Sequence, residues 1–145
     1  FSGNGKMEPE MADLLAELDP AVYSLDCLPN MSAAEVTERV EPFVRTLRKA
    51  HPKTPILLVE DRSYTDSFLV SSKRQRNLES RAALRAAYER LLAAGTQGLH
   101  YLPGEELLGD DGEGTVDSSH PTDLGFMRQS DAFRPVLERI LRSEK

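Results

Sequence analysis

Ile56-Leu57-Leu58-Val59 is an uninterrupted apolar run, preceded by Pro55 and followed by the charged residues Glu60-Asp61-Arg62. Four apolar residues without polar alternation are typical of a strand that is covered on both faces of a sheet. We therefore predict a buried parallel strand here. A polar loop, from Glu60 to about Ser72, should leave its carboxyl end.

Apolar segments on either side continue this pattern. Two further strands are predicted, at residues 22–28 and at Leu99–Leu102. Apolar residues three or four positions apart predict four helices, the first three centred on Met11, Val40 and Leu84 and the last beginning at Pro121. Ser32 and Glu35 form a capping box at the start of the second helix, and Gly95 is a candidate to end the third.

The predicted order is α-β-α-β-α-β-loop-α. Strands separated by helices imply parallel pairing, right-handed crossovers and helices on both faces of the sheet. We therefore expect a three-layer α/β/α sandwich with a flavodoxin-like parallel sheet, whose functional loops follow the carboxyl ends of the strands. Three strands are few for this architecture, and the sequence opens at Phe1 without a methionine. The expectation is one domain over residues 1–145, missing its first strand and most of its second.

Composition excludes several classes of function. The chain has 145 residues and a net charge of −6, with acids and bases mixed, which argues against a nucleic-acid-binding protein. It has no apolar run of about 18 residues, so no membrane span is expected. Cys27 is the single cysteine, so the chain can form no internal disulfide or Cys-rich metal site. The basic cluster Lys73-Arg74-Gln75-Arg76 is interpreted as a solvated helix face.

The strongest chemical signal is Asp117-Ser118-Ser119-His120-Pro121, ahead of the last helix. An acid three residues before a histidine can place its carboxylate on the imidazole Nδ1, leaving the other ring nitrogen to act as a general base. By itself the pattern is common. The alternative is an aspartate that caps the helix and a histidine with a structural role.

The same run resembles the last conserved block of the SGNH hydrolases, the GDSL-like lipases and acylhydrolases, in which D-x-x-H-P opens the final helix. Phe1-Ser2-Gly3-Asn4-Gly5 is similar to the second block of that family. Asp26-Cys27-Leu28-Pro29-Asn30-Met31 stands where the family usually has G-x-N-D. Together with Val59-Glu60-Asp61-Arg62, these strings resemble a bacterial esterase branch of the family.

The resemblance implies the SGNH hydrolase fold and a serine ester hydrolase that needs no cofactor or metal. The substrate would be a small ester, such as an acetyl ester, carried by a carbohydrate in the branch resembled. His120 would be the general base and Asp117 its orienting acid. The backbone N–H of Gly3 and the side-chain amide of Asn30 would form the oxyanion hole.

Two departures from the family pattern bear on these assignments. Pro29 and Met31 replace the glycine and aspartate that usually flank the oxyanion-hole asparagine. The first block, which carries the nucleophilic serine, occurs nowhere in the sequence. Four serines were considered as substitutes and interpreted as caps, turns or solvent-facing hydroxyls: Ser2, Ser63, Ser118 and Ser119. We assign no nucleophile and expect the isolated chain to be inactive.

Arg62 and a set of acidic residues are further candidates for binding, outside the predicted triad. Arg62 follows the central strand and could bind a substrate carboxylate or a sugar hydroxyl, or form an ordinary ion pair with Asp61 or Glu60. The acidic residues Asp110, Asp111, Glu113 and Asp117 do not match the spacing of a calcium-binding loop. We interpret them as part of a solvated loop and predict no metal site.

Two functions of other classes remain open at this point. A catalytically silent α/β module for binding or assembly would also explain the absence of a nucleophile. A phosphate-binding domain is less consistent, because no glycine-rich loop opens a helix. Loss of the first strands would expose a sheet edge, which favours self-association or pairing with the missing N-terminal segment. The sequence leaves open whether the full-length protein is exported.

Overall fold

The computed structural model describes residues 5–143. Within that range it contains three strands, four α-helices and a short 3₁₀ turn at Leu28–Asn30. The strands are β1 (Tyr23–Leu25), β2 (Ile56–Val59) and β3 (Leu99–Leu102), and the helices are α1 (Pro9–Leu15), α2 (Ala33–Ala50), α3 (Ser71–Ala93) and α4 (Asp123–Ser143). None of the helices in this range is both long and apolar enough to cross a membrane.

The three strands form one parallel sheet in the order β1-β2-β3. Ile56 of β2 pairs with Tyr23 on one side and with Leu99 on the other, and the register continues along the strands. Because all three strands run in the same direction, the loops that follow them leave the sheet at one edge. We call this the carboxyl edge.

Alternate residues of β2 point to opposite faces of the sheet, and all four are buried. Ile56 and Leu58 pack in a core with the apolar faces of α1, α2 and α3. Leu57 and Val59 pack in a second core with Ile140 of α4. Helices therefore cover both faces of a parallel sheet, and the predicted α/β class is confirmed.

Local signals at two helix ends are also confirmed. The Ser32 N–H donates to Glu35 Oε2 at 2.8 Å, while the Glu35 N–H donates to Ser32 Oγ at 3.3 Å, which is the capping box. At the end of α3, Gly95 has a φ of +83°. Its N–H bonds to the Leu92 carbonyl, and the following N–H bonds to the Leu91 carbonyl. This is the Schellman arrangement, which favours glycine at that position.

The first predicted strand is too long. Residues 22–28 were expected to be extended, but β1 ends at Leu25 and Leu28–Asn30 forms a 3₁₀ turn. The N–H of Asn30 bonds to the Cys27 carbonyl at 3.0 Å. The strand ends where its pairing with β2 ends, at Leu25, and Pro29, with no N–H for a sheet and a fixed φ, suits the turn that follows. Similarly, the last helix begins at Asp123 and not at Pro121, which instead forms an isolated antiparallel bridge with Thr115.

Candidate active site

Three loops meet at the carboxyl edge, and each contains a residue that the sequence analysis singled out. The 3₁₀ turn after β1 contains Asn30, the loop after β2 contains Arg62, and the loop after β3 contains Asp117 and His120. Gly3, the other predicted oxyanion-hole residue, lies outside the described residues. The topology thus brings four of the five predicted residues to one edge of the sheet.

Asp117 and His120 make the contact that their spacing predicts. The carboxylate Oδ2 lies 2.6 Å from the imidazole Nδ1. The second oxygen, Oδ1, accepts the backbone N–H of Ser119 at 3.0 Å and of His120 at 2.7 Å. The carboxylate therefore both closes the turn and orients the ring. These hydrogen bonds, led by the one from the His120 N–H, hold the pKa of Asp117 well below its usual range.

The other ring nitrogen of His120, Nε2, is not bonded to the Asp117 carboxylate and can accept a proton. The pair is open to solvent, since 75% of the His120 side chain and 51% of the Asp117 side chain are exposed. Such an arrangement can act as a base toward a group delivered from outside the loop. The two residues predicted as acid and base therefore lie in hydrogen-bonding contact with each other.

The backbone around this pair is fixed by contacts within and outside its loop. Ser118 has a φ of +72°, which is rarely adopted by a residue with a side chain. Its carbonyl accepts the N–H of Thr65 from the loop after β2 at 3.1 Å. The N–H of Val116 bonds to the His120 carbonyl at 2.9 Å, which closes the base of the turn. The unusual conformation of Ser118 is thus held by neighbouring structure.

Close packing under the turn depends on Gly125 in α4. A Cβ at this position would overlap the carbonyl oxygen of Gly114 and would lie 3.1 Å from the Pro121 Cβ. Gly125→Ala should therefore lower the free energy of unfolding by about 1–3 kcal/mol, as measured by urea denaturation. Alanine has the higher helix propensity, so a gain in stability would show that this contact is unimportant. Ser130→Ala, at an exposed site of α4, is the control and should change stability by less than about 0.5 kcal/mol.

Arg62 is directed at the turn. Its Nε donates to the Ser119 carbonyl at 2.6 Å, and its Nη2 donates to the Ser119 hydroxyl at 2.7 Å. The predicted alternative of an ion pair with Asp61 is also present, with Nη1 3.5 Å from Oδ1. Only 11% of the Arg62 side chain is exposed. Sequence reasoning did not foresee the contact with Ser119.

The first half of α3 contacts all three loops through one face of the helix. Lys73 donates to the Ser118 hydroxyl at 2.6 Å, and Arg76 donates to the Pro29 carbonyl at 2.9 Å. Asn77 donates to the Arg62 carbonyl at 2.9 Å, and Arg81 donates twice to the Asp61 carbonyl. The sequence analysis interpreted residues 73–76 as a solvated face, which is wrong for Lys73 and Arg76. The spacing 73, 76, 77, 81 lies along one side of a helix and could have indicated this.

Asn30 lies on the turn that Arg76 anchors. Its side chain is exposed, and a Cβ on Gly5 would come within 2.9 Å of its Nδ2. The amide therefore lies beside Gly5. The nearby Cys27 is partly buried. Burial, reinforced by the charge of Asp26, raises the pKa of its thiol to about 11, so it stays protonated near neutral pH.

Residues 1–138 match the sequence profile of the GDSL-like lipase/acylhydrolase family. The chain belongs to this family. A crystal structure of a protein from Bacteroides ovatus, described as a GDSL-like lipase, superposes with a TM-score of 0.93 at 38% identity. That alignment covers 97% of this chain and 42% of the other. No curated protein matched the chain.

A salicylyl-acyltransferase, SsfX3, from a tetracycline biosynthetic pathway has a similar fold. Its TM-score is 0.76 at 21% identity, and the alignment covers 94% of this chain and 42% of the acyltransferase. This likeness extends to the fold alone. At the level of the family, this membership supports an enzyme of the lipase or acylhydrolase type. The chain spans less than half the length of both solved structures.

For this GDSL-family chain, residues 5–143 contain no group of three or more His, Cys, Asp or Glu side chains placed to hold a metal ion. The acidic residues of the loop after β3 have other contacts. Asp111 forms a pair with Arg128, with its Oδ1 2.7 Å from Nη1, and its Oδ1 also accepts the Glu113 N–H at 3.0 Å. These contacts turn the loop locally at Asp111 and tie it to α4.

Proposed function

We propose that this chain is the acid–base half of a serine ester hydrolase. The observation that carries the proposal is the 2.6 Å contact between Asp117 Oδ2 and His120 Nδ1 at the carboxyl edge of a GDSL-family sheet. In the proposed mechanism a serine attacks the ester carbonyl while His120 Nε2 removes the hydroxyl proton. His120 then returns that proton to the leaving alcohol, which leaves an acyl-enzyme, and Asp117 stabilises the imidazolium between the two steps. Water, deprotonated by His120 in turn, attacks the acyl-enzyme, releases the carboxylic acid and restores the serine.

The nucleophile in this proposal is delivered by a part of the full-length protein outside these 145 residues. The three candidate serines in the described range are already engaged by cationic side chains. Ser63, Ser118 and Ser119 accept hydrogen bonds from Arg81, Lys73 and Arg62, respectively. The high exposure of His120 is consistent with a surface that another segment covers. A strand carrying that serine would add beside β1, an edge strand within the described residues.

Asn30 is proposed as a donor to the oxyanion that develops on the attacked carbonyl, together with Gly3. Its exposed amide at the carboxyl edge supports this role. Asn30→Ala should reduce kcat by about 10²–10³-fold, because one preorganised donor to the transition state is lost. The measurement is the hydrolysis of p-nitrophenyl acetate by the full-length protein. Thr37→Ala, on the exposed side of α2, is the control and should retain wild-type kcat. A kcat for Asn30→Ala within threefold of wild type would remove Asn30 from the mechanism.

The proposal is tested first by assaying two forms of the protein on p-nitrophenyl acetate. Residues 1–145 alone should show no turnover above background, and the full-length protein should hydrolyse the ester and be labelled by a fluorophosphonate, a reagent for activated serines. A full-length protein that does neither would favour the catalytically silent module. Acetylated oligosaccharides should then be compared with p-nitrophenyl acetate, since we propose a carbohydrate-linked ester as the substrate.

A further inference from the structure

We propose that Arg62 is a positioning residue that holds the Asp117–His120 turn in its catalytic geometry. The inference rests on the proposed function, because it assigns Arg62 a task in that same site. Arg62 does not touch the imidazole. It acts through Ser119, the residue directly before His120 in the chain.

The guanidinium of Arg62 binds Ser119 at two points. Nε donates to the carbonyl oxygen at 2.6 Å, and Nη2 donates to the hydroxyl at 2.7 Å. Two parallel donors from one rigid plane fix both the position and the rotation of the peptide that leads into His120. The Ser119 N–H is itself bound to Asp117 Oδ1 at 3.0 Å. Ser119, one of the two residues between the acid and the base, is therefore held at its N–H, its carbonyl and its hydroxyl.

Arg62 is itself anchored to the sheet. It is the third residue after β2, and its carbonyl accepts the Asn77 side-chain amide at 2.9 Å. Its third nitrogen, Nη1, lies 3.5 Å from the buried Asp61. Burial raises the pKa of Asp61, and the charge of Arg62 is the largest effect opposing that rise. The turn is thus connected to the most deeply buried strand through one side chain that is 89% covered.

Lys73 provides a second contact to the same turn. Its ammonium lies 2.6 Å from the Ser118 hydroxyl and 2.6 Å from Asp66 Oδ2. As a single point charge, it cannot fix the rotation of a peptide as the fork of Arg62 does. Ser118 is also held by the Thr65 N–H at its carbonyl. We therefore expect Lys73 to matter less than Arg62 for the placement of His120.

The expected consequence is a loss in kcat with little change in KM. A catalytic group displaced by about 1 Å can cost about 10²-fold in rate. Arg62→Gln and Arg62→Lys should each reduce kcat for p-nitrophenyl acetate by about 10²-fold in the full-length protein, with KM within threefold of wild type. Lysine should not restore activity, because it lacks the two parallel donors.

The experiment compares these variants with Arg74→Gln, an exposed cation on α3 near the site. Active enzyme is counted by fluorophosphonate titration, so that a fall in the folded fraction does not lower the measured kcat. The proton on His120 Nδ1, which is hydrogen-bonded to Asp117, is followed by ¹H NMR. In both Arg62 variants its downfield resonance should move upfield and broaden, while Arg74→Gln should leave kcat and the resonance unchanged. A purely structural role would lower the melting temperature and move neither the titrated kcat nor the resonance.

A second variant covers the case in which both Arg62 variants fail to fold. Ser119→Ala removes only the hydroxyl acceptor of Nη2 and should reduce kcat about tenfold. Wild-type kcat and an unchanged resonance in Ser119→Ala, or in either folded Arg62 variant, would overturn the proposal. Failure of the proposed function is a separate result, in which wild-type protein is inactive or His120→Ala keeps full activity.

Discussion

Replacing His120 with alanine should lower kcat for ester hydrolysis by about 10⁶-fold in the full-length protein, the cost typical of removing the base of a serine triad. The reason is that the imidazole, oriented by Asp117, is the group proposed to take the serine proton. Arg62 and Lys73, which also reach the turn, are cations and donors and cannot replace it. The measurement is the hydrolysis of p-nitrophenyl acetate, with folding checked by circular dichroism and thermal unfolding.

A histidine at the opposite edge of the sheet provides the control. His51 follows α2, and its Nε2 lies 2.9 Å from the Ala16 carbonyl. Its ring also packs against Tyr23, with centroids 5.7 Å apart. His51→Gln keeps a donor for that carbonyl and should retain kcat, with at most a loss of stability. Turnover by His120→Ala at more than one hundredth of the wild-type rate would rule out the proposed mechanism.

Asp117→Asn should reduce kcat by about 10⁴-fold. The asparagine can keep its Oδ1 bonded to the backbone N–H groups of Ser119 and His120, so the turn should be retained. Its amide, however, presents N–H to the imidazole Nδ1. The ring must then carry its proton on Nε2, the nitrogen that has to accept one from the serine.

The comparison with Asp117→Ala separates the two tasks of the carboxylate, which are to orient the imidazole and to close the turn. Alanine removes the backbone acceptor as well, so it should lower kcat at least as much and also lower the melting temperature. Asp123→Asn changes an exposed carboxylate at the start of α4 and should leave kcat unchanged. Because the pKa of Asp117 is held well below its usual range, its charge is present at every pH used for ester assays. A kcat for Asp117→Asn close to wild type would show that the aspartate only closes the turn.

Sequence patterns predicted the fold where the signal is local. The apolar run at Ile56–Val59 is a strand because it is covered on both faces, and the capping box at Ser32 begins a helix. The first strand was overestimated because apolar residues continue past its end. Its pairing with β2 extends only from Tyr23 to Leu25, and the chain then turns at Pro29. Where a strand loses its partner is a property of the sheet and cannot be deduced from periodicity.

In the candidate site, too, a contact within one loop was predictable from the sequence, whereas contacts between distant loops were not. The contact between Asp117 and His120 was predictable because they are only three positions apart. The role of Arg62 was not, because its partner Ser119 lies 57 residues away along the chain. For the same reason, the basic residues that open α3 were misinterpreted. Their partners Ser118 and Pro29 lie on loops whose proximity depends on the parallel order of the strands.

The attachment of three loops to one side of α3 has a consequence for motion. Lys73, Arg76 and Asn77 are joined to the turn before His120, to the turn of Asn30 and to the backbone of Arg62, respectively. A small tilt of this helix would carry all three segments with it. The distance from the His120 imidazole to the Asn30 amide would then stay nearly constant, although the three loops together changed their angle to the sheet. A tilt of α3 would therefore disturb the relative positions of these side chains very little.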